Sequence, residues 1–310
     1  MTELNICTVV NSNNININID EWVTYNLLIG ISNIYIYTYC EIDLNSLPEL
    51  IKNKVHIFYI DKDNDLNKTQ FYDKKLYKCF YSHDKNINLY FLNYCIKHVC
   101  DNSSMILFLN TNQYLFLDNI SINNLLNISS ENKILFIRKL KFGHSFANKL
   151  NDKCSIIDTY KYCNNNISNS GRFIINLKLS SGNINSLENL MNNKIESNNV
   201  LIYDYSDVNL KKFIKKKISE KIEPKYIYNE LIVNNIRYND NMNNYFEMVN
   251  HCLNNKYVNN IVEDKSSPYI YIIINGKPKK FIDLNIDHND INEIINNDIY
   301  FIPKSKIIIK

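Results

Sequence analysis

Short β-prone runs alternate with helix-period segments over the first half of this chain, and that alternation restricts its fold more than any other feature. Asn5 to Val10 reads as a strand, Asp20 to Leu28 as a helix capped by Asp20, and Asn33 to Tyr39 as a strongly β-prone run. Leu47 to Asn53 then predicts a short helix and Val55 to Ile60 a third strand. The clearest helical pattern spans Ile87 to Cys100, where Ile87, Tyr90, Phe91, Tyr94, Cys95 and His98 share one face. A buried strand, Met105 to Leu109, comes after it. Strands alternating with helices indicate βαβ units, so the expected fold class is α/β with a mainly parallel central sheet. Ligands of such sheets bind outside the carboxyl ends of the strands, which directs attention to the residues just beyond Val10, Tyr39 and Leu109.

Composition removes several other classes. The 310 residues are 45% hydrophobic and 22% charged with only 5 Gly and 5 Pro, too apolar for a disordered chain and too poor in Gly and Pro for a fibrous repeat. A formal charge of +3 is too slight to imply by itself a nucleic-acid or membrane-surface partner, and no nucleic acid is expected. Heavy use of Asn, Ile, Lys and Tyr is what an AT-rich coding sequence would produce. The tract from Asn11 to Ile19 reads either as a biased surface loop or as a polar run prone to β-pairing. No apolar run approaches the roughly 18 residues of a membrane span, and the first residues lack a signal-peptide pattern, so the expected compartment is cytoplasmic. The eight cysteines form no CxxC pair, which argues for free thiols rather than a zinc or disulfide framework.

Beyond Lys178 the alternation loosens. Leu210 to Ile218 has a helical pattern surrounded by Lys211, Lys212, Lys215, Lys216 and Lys217, either a solvated face or a basic partner-binding stripe. Tyr269 to Ile274, Asn275-Gly276 and Lys280 to Leu284 give the strongest hairpin signal, because both central residues of a type I′ turn need positive φ. The expected organisation is a main domain over 1–264 and a small β appendage over 265–310. Asp61, Asp63 and Asp65 alternate like a Ca²⁺ loop but lack its Gly and distal Glu, and no Gly-rich phosphate loop is present.

Four motifs in order resemble the glycosyltransferases of family 92 and related family-2-like enzymes. They are Glu21-Trp22 with Tyr25, Gly30-Ile31 and Tyr35-Ile36-Tyr37; Tyr94-Cys95 leading to Met105–Leu109 and Asn110-Thr111-Asn112-Gln113-Tyr114; Phe142-Gly143-His144-Ser145; and Tyr203-Asp204-Tyr205-Ser206-Asp207 with Phe213. The resemblance covers about residues 5 to 220 and implies a GT-A fold, a nucleotide-binding α/β sandwich that transfers sugar from a nucleotide-sugar donor. The family's D-x-D-E run, which would hold Mn²⁺ or Mg²⁺ against the donor diphosphate, falls on Asn110, Asn112 and Gln113. The family-equivalent cofactor-binding positions are Val10, Asn11, Thr38, Asn110, Asn112 and Gln113.

Other chemical positions depart likewise: Asn26 stands for His, Thr38 for Asp or Asn, and Tyr203-Asp204 for Asn-His. Residues that look structural, among them Trp22, Gly30, Phe142 and Gly143, are retained. The expectation is therefore a glycosyltransferase-like pseudoenzyme with no bound metal, serving in binding or assembly, with a nucleotide sugar, a glycan or a protein as partner. The alternative is a metal-independent transferase that stabilises its leaving diphosphate with Arg172 or the Arg138, Lys139 and Lys141 cluster. His144, oriented by Asp204 or Asp207, is the candidate base, or else a partly buried histidine bonded to backbone.

Overall fold

The computed structural model describes residues 3–10, 18–38, 40–59, 95, 105–143, 145, 154–180, 195–196, 199–205, 210–234, 237–239, 241–257, 269–274, 277–280 and 299–302. Strand β1 (Leu4–Val10) is buried at nearly every position, as a strand covered on both faces must be. Helix α1 (Ile19–Leu28) leads to β2 (Ile34–Thr38), which pairs in parallel with β1 from Ile6↔Ile34 to Val10↔Thr38. The short helix α2 (Glu49–Lys52) precedes β3 (Val55–Tyr59), parallel to β2. On the other side β4 (Met105–Phe108) runs parallel to β1 with Leu4↔Met105 and Cys7↔Phe108. The α/β class and the mostly parallel sheet are thus as expected, with the strands within a residue or two of their expected limits.

Later strands extend the sheet. They are β5 (Gln113–Leu117), β6 (Ile134–Lys141), β7 (Tyr162–Cys163), β8 (Ser168–Asn176), β9 (Ile195–Glu196) and β10 (Val200–Asp204). Among the described residues the order is β3-β2-β1-β4-β8-β6-β10-β5, with β9 on β6 and β7 outside it. Strand β8 runs antiparallel to both β4 and β6. Gly171 permits this pairing, because a Cβ there would lie 2.1 Å from the Ile137 carbonyl oxygen and 2.6 Å from the Phe136 ring. Gly30, at φ 106, closes the corner after α1 where no L side chain is comfortable. Among the described residues, left-handed backbone elsewhere falls on Asn119, Ser145, Lys221, Asn254 and Asn255.

Asp20 does not cap α1. Asn18 occupies the N-cap without a side-chain cap bond, and Asp20 lies inside the first turn, where its carboxylate accepts the Ser46 hydroxyl at 2.9 Å. The remaining helices are α3 (Ile122–Ser130), α4 (Ile156–Thr159), α5 (Leu177–Ser180), α6 (Leu210–Ser219), α7 (Pro224–Val233) and α8 (Asn243–Cys252). Helix α3 is capped by Ser121, whose side chain accepts the Asn124 N–H. The expected helix Ile87 to Cys100 lies outside the described residues except Cys95, which is helical and buried; Asp61, Asp63 and Asp65 also lie outside them.

The chain forms two compact units. One holds 1–139, 168–203 and 251–254; the other holds 140–167, 204–250 and 255–310. In the second, β7 pairs antiparallel with β11 (Arg237–Tyr238), and the Phe142 and Tyr205 rings stack at 4.5 Å. A separate sheet joins β12 (Tyr269–Ile274), β13 (Lys277–Lys280) and β14 (Ile299–Ile302) in the order β13-β12-β14. The expected hairpin forms, with Ile274 opposite Lys277, so its second strand begins earlier than Lys280.

Candidate functional site

Parallel pairing brings the carboxyl ends of β1, β2 and β4 to one end of the sheet. Leu109 donates to the Cys7 carbonyl at 3.3 Å, and Asn110 then opens a tight turn closed by the Gln113 N–H on the Asn110 carbonyl at 2.9 Å. The Gln113 side chain folds back into this turn. Its Oε1 accepts the Asn110 N–H at 3.3 Å and the Arg172 Nε–H at 2.8 Å, and Gln113 is only 1% exposed. Its backbone carbonyl accepts Trp22 Nε1–H at 2.7 Å.

Helix α1 secures the same segment from its buried face. Tyr25 donates its hydroxyl to the Leu115 carbonyl at 2.7 Å, and Tyr114 donates to Glu21 Oε1 at 3.1 Å. The Tyr25 and Tyr114 rings meet edge to face at 5.2 Å. Glu21 and Trp22 therefore hold the strand that leaves the turn, a structural use of that motif. Asn26 is also tied locally, its Nδ2 donating to the Trp22 carbonyl at 2.8 Å.

Asn110 is exposed at the turn, while Asn112 is half-buried with an Oδ1 that is shielded from solvent and has no hydrogen-bond partner among the described residues. Val10 is fully buried. Thr38 Oγ1 accepts the Cys40 N–H and donates to the Cys40 carbonyl, both at 3.0 Å, fixing the chain as it leaves β2. Asn11, His144 and Asp207 lie outside the described residues. Asp204, in the second unit, is buried, and its backbone carbonyl accepts the Phe142 N–H at 2.9 Å. Also in that unit, Ser145 Oγ accepts the Tyr162 N–H at 2.9 Å. Burial pushes the Cys163 thiol up to about 11, against the opposing pull of Arg237 and Asn239, so it is not a thiolate nucleophile at neutral pH.

The two arginines separate. Side chains directly opposite each other in a sheet share a face and successive ones alternate, so Arg172, opposite Ile137, and Arg138, opposite Gly171, project to opposite faces. Arg172 reaches Gln113, whereas Arg138 forms an ion pair with Glu196 at 3.6 Å.

A divalent metal does not suit this turn. Mg²⁺ and Mn²⁺ sites use anionic carboxylates to offset the cost of dehydrating the ion. Here the three side chains are neutral amides, and the Gln113 oxygen already accepts a peptide N–H and a cationic guanidinium. Among the described residues no three His, Cys, Asp or Glu side chains gather as metal ligands, and no helix is long and apolar enough to cross a membrane.

No protein-family model and no curated protein matches the chain. Among solved structures it is similar to residues 1–349 of TarS from S. aureus, at 9% identity over 82% of this chain and 71% of that one, with a TM-score of 0.35. The same fragment in complex with UDP-GlcNAc matches at 9% identity over 81% of this chain and 70% of that one, with a TM-score of 0.37. The glycosyltransferase GlyE of Streptococcus pneumoniae TIGR4 matches at 11% identity over 64% of this chain and 46% of that one, with a TM-score of 0.28. At these values the likeness carries no argument.

Proposed function

We propose that the protein is a glycosyltransferase-like scaffold that has given up metal-dependent transfer and serves in binding or assembly, with 1–264 as the scaffold and 265–310 as a β appendage. The supporting observation is the Gln113 side chain: where the family resemblance implies a carboxylate, a neutral amide oxygen is turned inward and engaged by Asn110 and Arg172. A nucleotide sugar or glycan would meet the exposed amide of Asn110 rather than a metal-bridged carboxylate pair.

Incubation with a panel of nucleotide sugars and Mn²⁺ tests this. The expected result is no donor hydrolysis or transfer above buffer, with Mn²⁺ affinity by calorimetry no tighter than millimolar. The position of Arg172 on the turn favours one other reading, a metal-independent transferase whose leaving diphosphate is stabilised by that guanidinium. Donor turnover in EDTA, reduced roughly 100-fold by Arg172→Gln, would establish that reading in place of the first.

A further inference from the structure

Helix α6 has the sequence LKKFIKKKIS. Successive residues of an α-helix advance by about 100°, which sets Phe213, Ile214 and Ile218 on one arc and positions 212, 215 and 216 on the opposite arc, with 211 at the boundary beside Ile218. The apolar three are at most 3% exposed, and Lys216, across the helix from them, is exposed. No acidic residue falls within the helix. Helices α6 and α7 form a helical hairpin joined by an ion pair between Lys217 and Glu230, and of its glutamates Glu223 pairs with Lys225 at 2.9 Å. Glu230 pairs with Lys217 at 2.7 Å and lies 4.0 Å from Lys141.

Residues 210–233 carry seven lysines and three glutamates, an excess of four, against a formal +3 for the whole chain. The rest of the sequence is slightly negative. Composition bias alone would spread lysine along the chain, so this concentration needs another cause. On α7, Tyr226 and Val233 lie seven residues apart and therefore on one face, and they are 56% and 40% exposed. The Lys225 ammonium sits 4.9 Å from the Tyr226 ring centroid. An exposed aromatic ring beside an ammonium, near a lysine-rich helix, is the chemistry that settles at a lipid headgroup layer. The hairpin contains no arginine to grip phosphates with a bidentate fork, and its exposed Tyr and Val would gain nothing from a nucleic-acid backbone.

We infer that the α6–α7 hairpin is a docking face for an anionic lipid surface. This does not depend on whether the strand-end turn supports transfer. The test is co-sedimentation of the full chain with phosphatidylcholine vesicles, with and without phosphatidylglycerol, at low and high salt. Binding is expected only with the anionic lipid and is reversed by salt. Joint replacement Lys211→Glu, Lys212→Glu, Lys215→Glu and Lys216→Glu lowers the partition coefficient roughly 100-fold or more. Tyr226→Ala weakens binding several-fold at unchanged charge. A milder set with Gln at the same four positions gives an intermediate loss and serves if the reversed set does not fold. No anionic-vesicle binding, equal binding to neutral vesicles, indifference to the Gln set, or retention on an immobilised oligonucleotide without vesicle binding would each overturn the inference.

Discussion

The Asn110–Gln113 turn and the α6–α7 hairpin are both rich in polar residues, yet they are stabilised in opposite ways. The turn is electrically neutral at its own side chains and held from several directions by α1, by Arg172 and by its own backbone bond. The hairpin concentrates lysine in its sequence, with Lys216 exposed, and is held from beneath by Phe213, Ile214 and Ile218. Polar residues of similar abundance thus become a fixed framework in one place and a solvated charge array in the other. Burial makes the difference: a polar atom removed from water depends on a protein partner, as Gln113 Oε1 has and Asn112 Oδ1 lacks among the described residues, while an exposed one is served by water.

The sharpest test of the comparison is Trp22→Ala, which removes a fully buried ring and the indole bond to Gln113. A loss of about 3–5 kcal/mol is expected in urea unfolding. Circular dichroism must track it, because Trp22 is the chain's single tryptophan. A loss below about 1 kcal/mol would mean that α1 does not clamp the turn. Gln113→Leu comes next. It removes the acceptor of the Asn110 N–H and the Arg172 Nε–H and should cost about 1–3 kcal/mol, with Gln113→Glu recovering most of it because a carboxylate also accepts both bonds. Equal losses in the two variants would break the account of Gln113 as an acceptor.

The smallest effect has the opposite sign and belongs to the hairpin. Lys221 sits at φ 59 where α6 ends, with Lys221 N–H on the Ile218 carbonyl and Ile222 N–H on the Lys217 carbonyl. That is a Schellman ending that favours glycine. Lys221→Gly should therefore raise stability by about 1 kcal/mol, read as a higher urea midpoint at unchanged slope.

Strands β1, β2 and β4 were legible because each is a local apolar run with both faces covered, and the position of Asn110 came from the strand-end rule. Strand β8 was not. Its first half, Ser168 to Arg172, is polar, and its place between β4 and β6 depends on Gly171 accommodating the Phe136 ring far away in sequence. The site divides in the same way. The run from Asn110 to Gln113 could be read locally, but the bond from Arg172 to Gln113 spans 59 residues and that from Trp22 spans 91, so no pattern along the chain reveals them. Asp20 misled because its residue type suits an N-cap, while the tertiary bond to Ser46 holds it within the first turn of the helix.

Among the described residues, three of the five non-glycine residues in left-handed backbone are asparagines: Asn119, Asn254 and Asn255. Such a position acts on the denatured ensemble as well as on the folded chain. A glycine there would roam over both signs of φ before folding and forfeit that freedom on closing the corner, whereas asparagine has fewer conformations to lose. With only 5 glycines among 310 residues, the disordered chain is already narrowed in its choices, and its corners close from a smaller set of shapes.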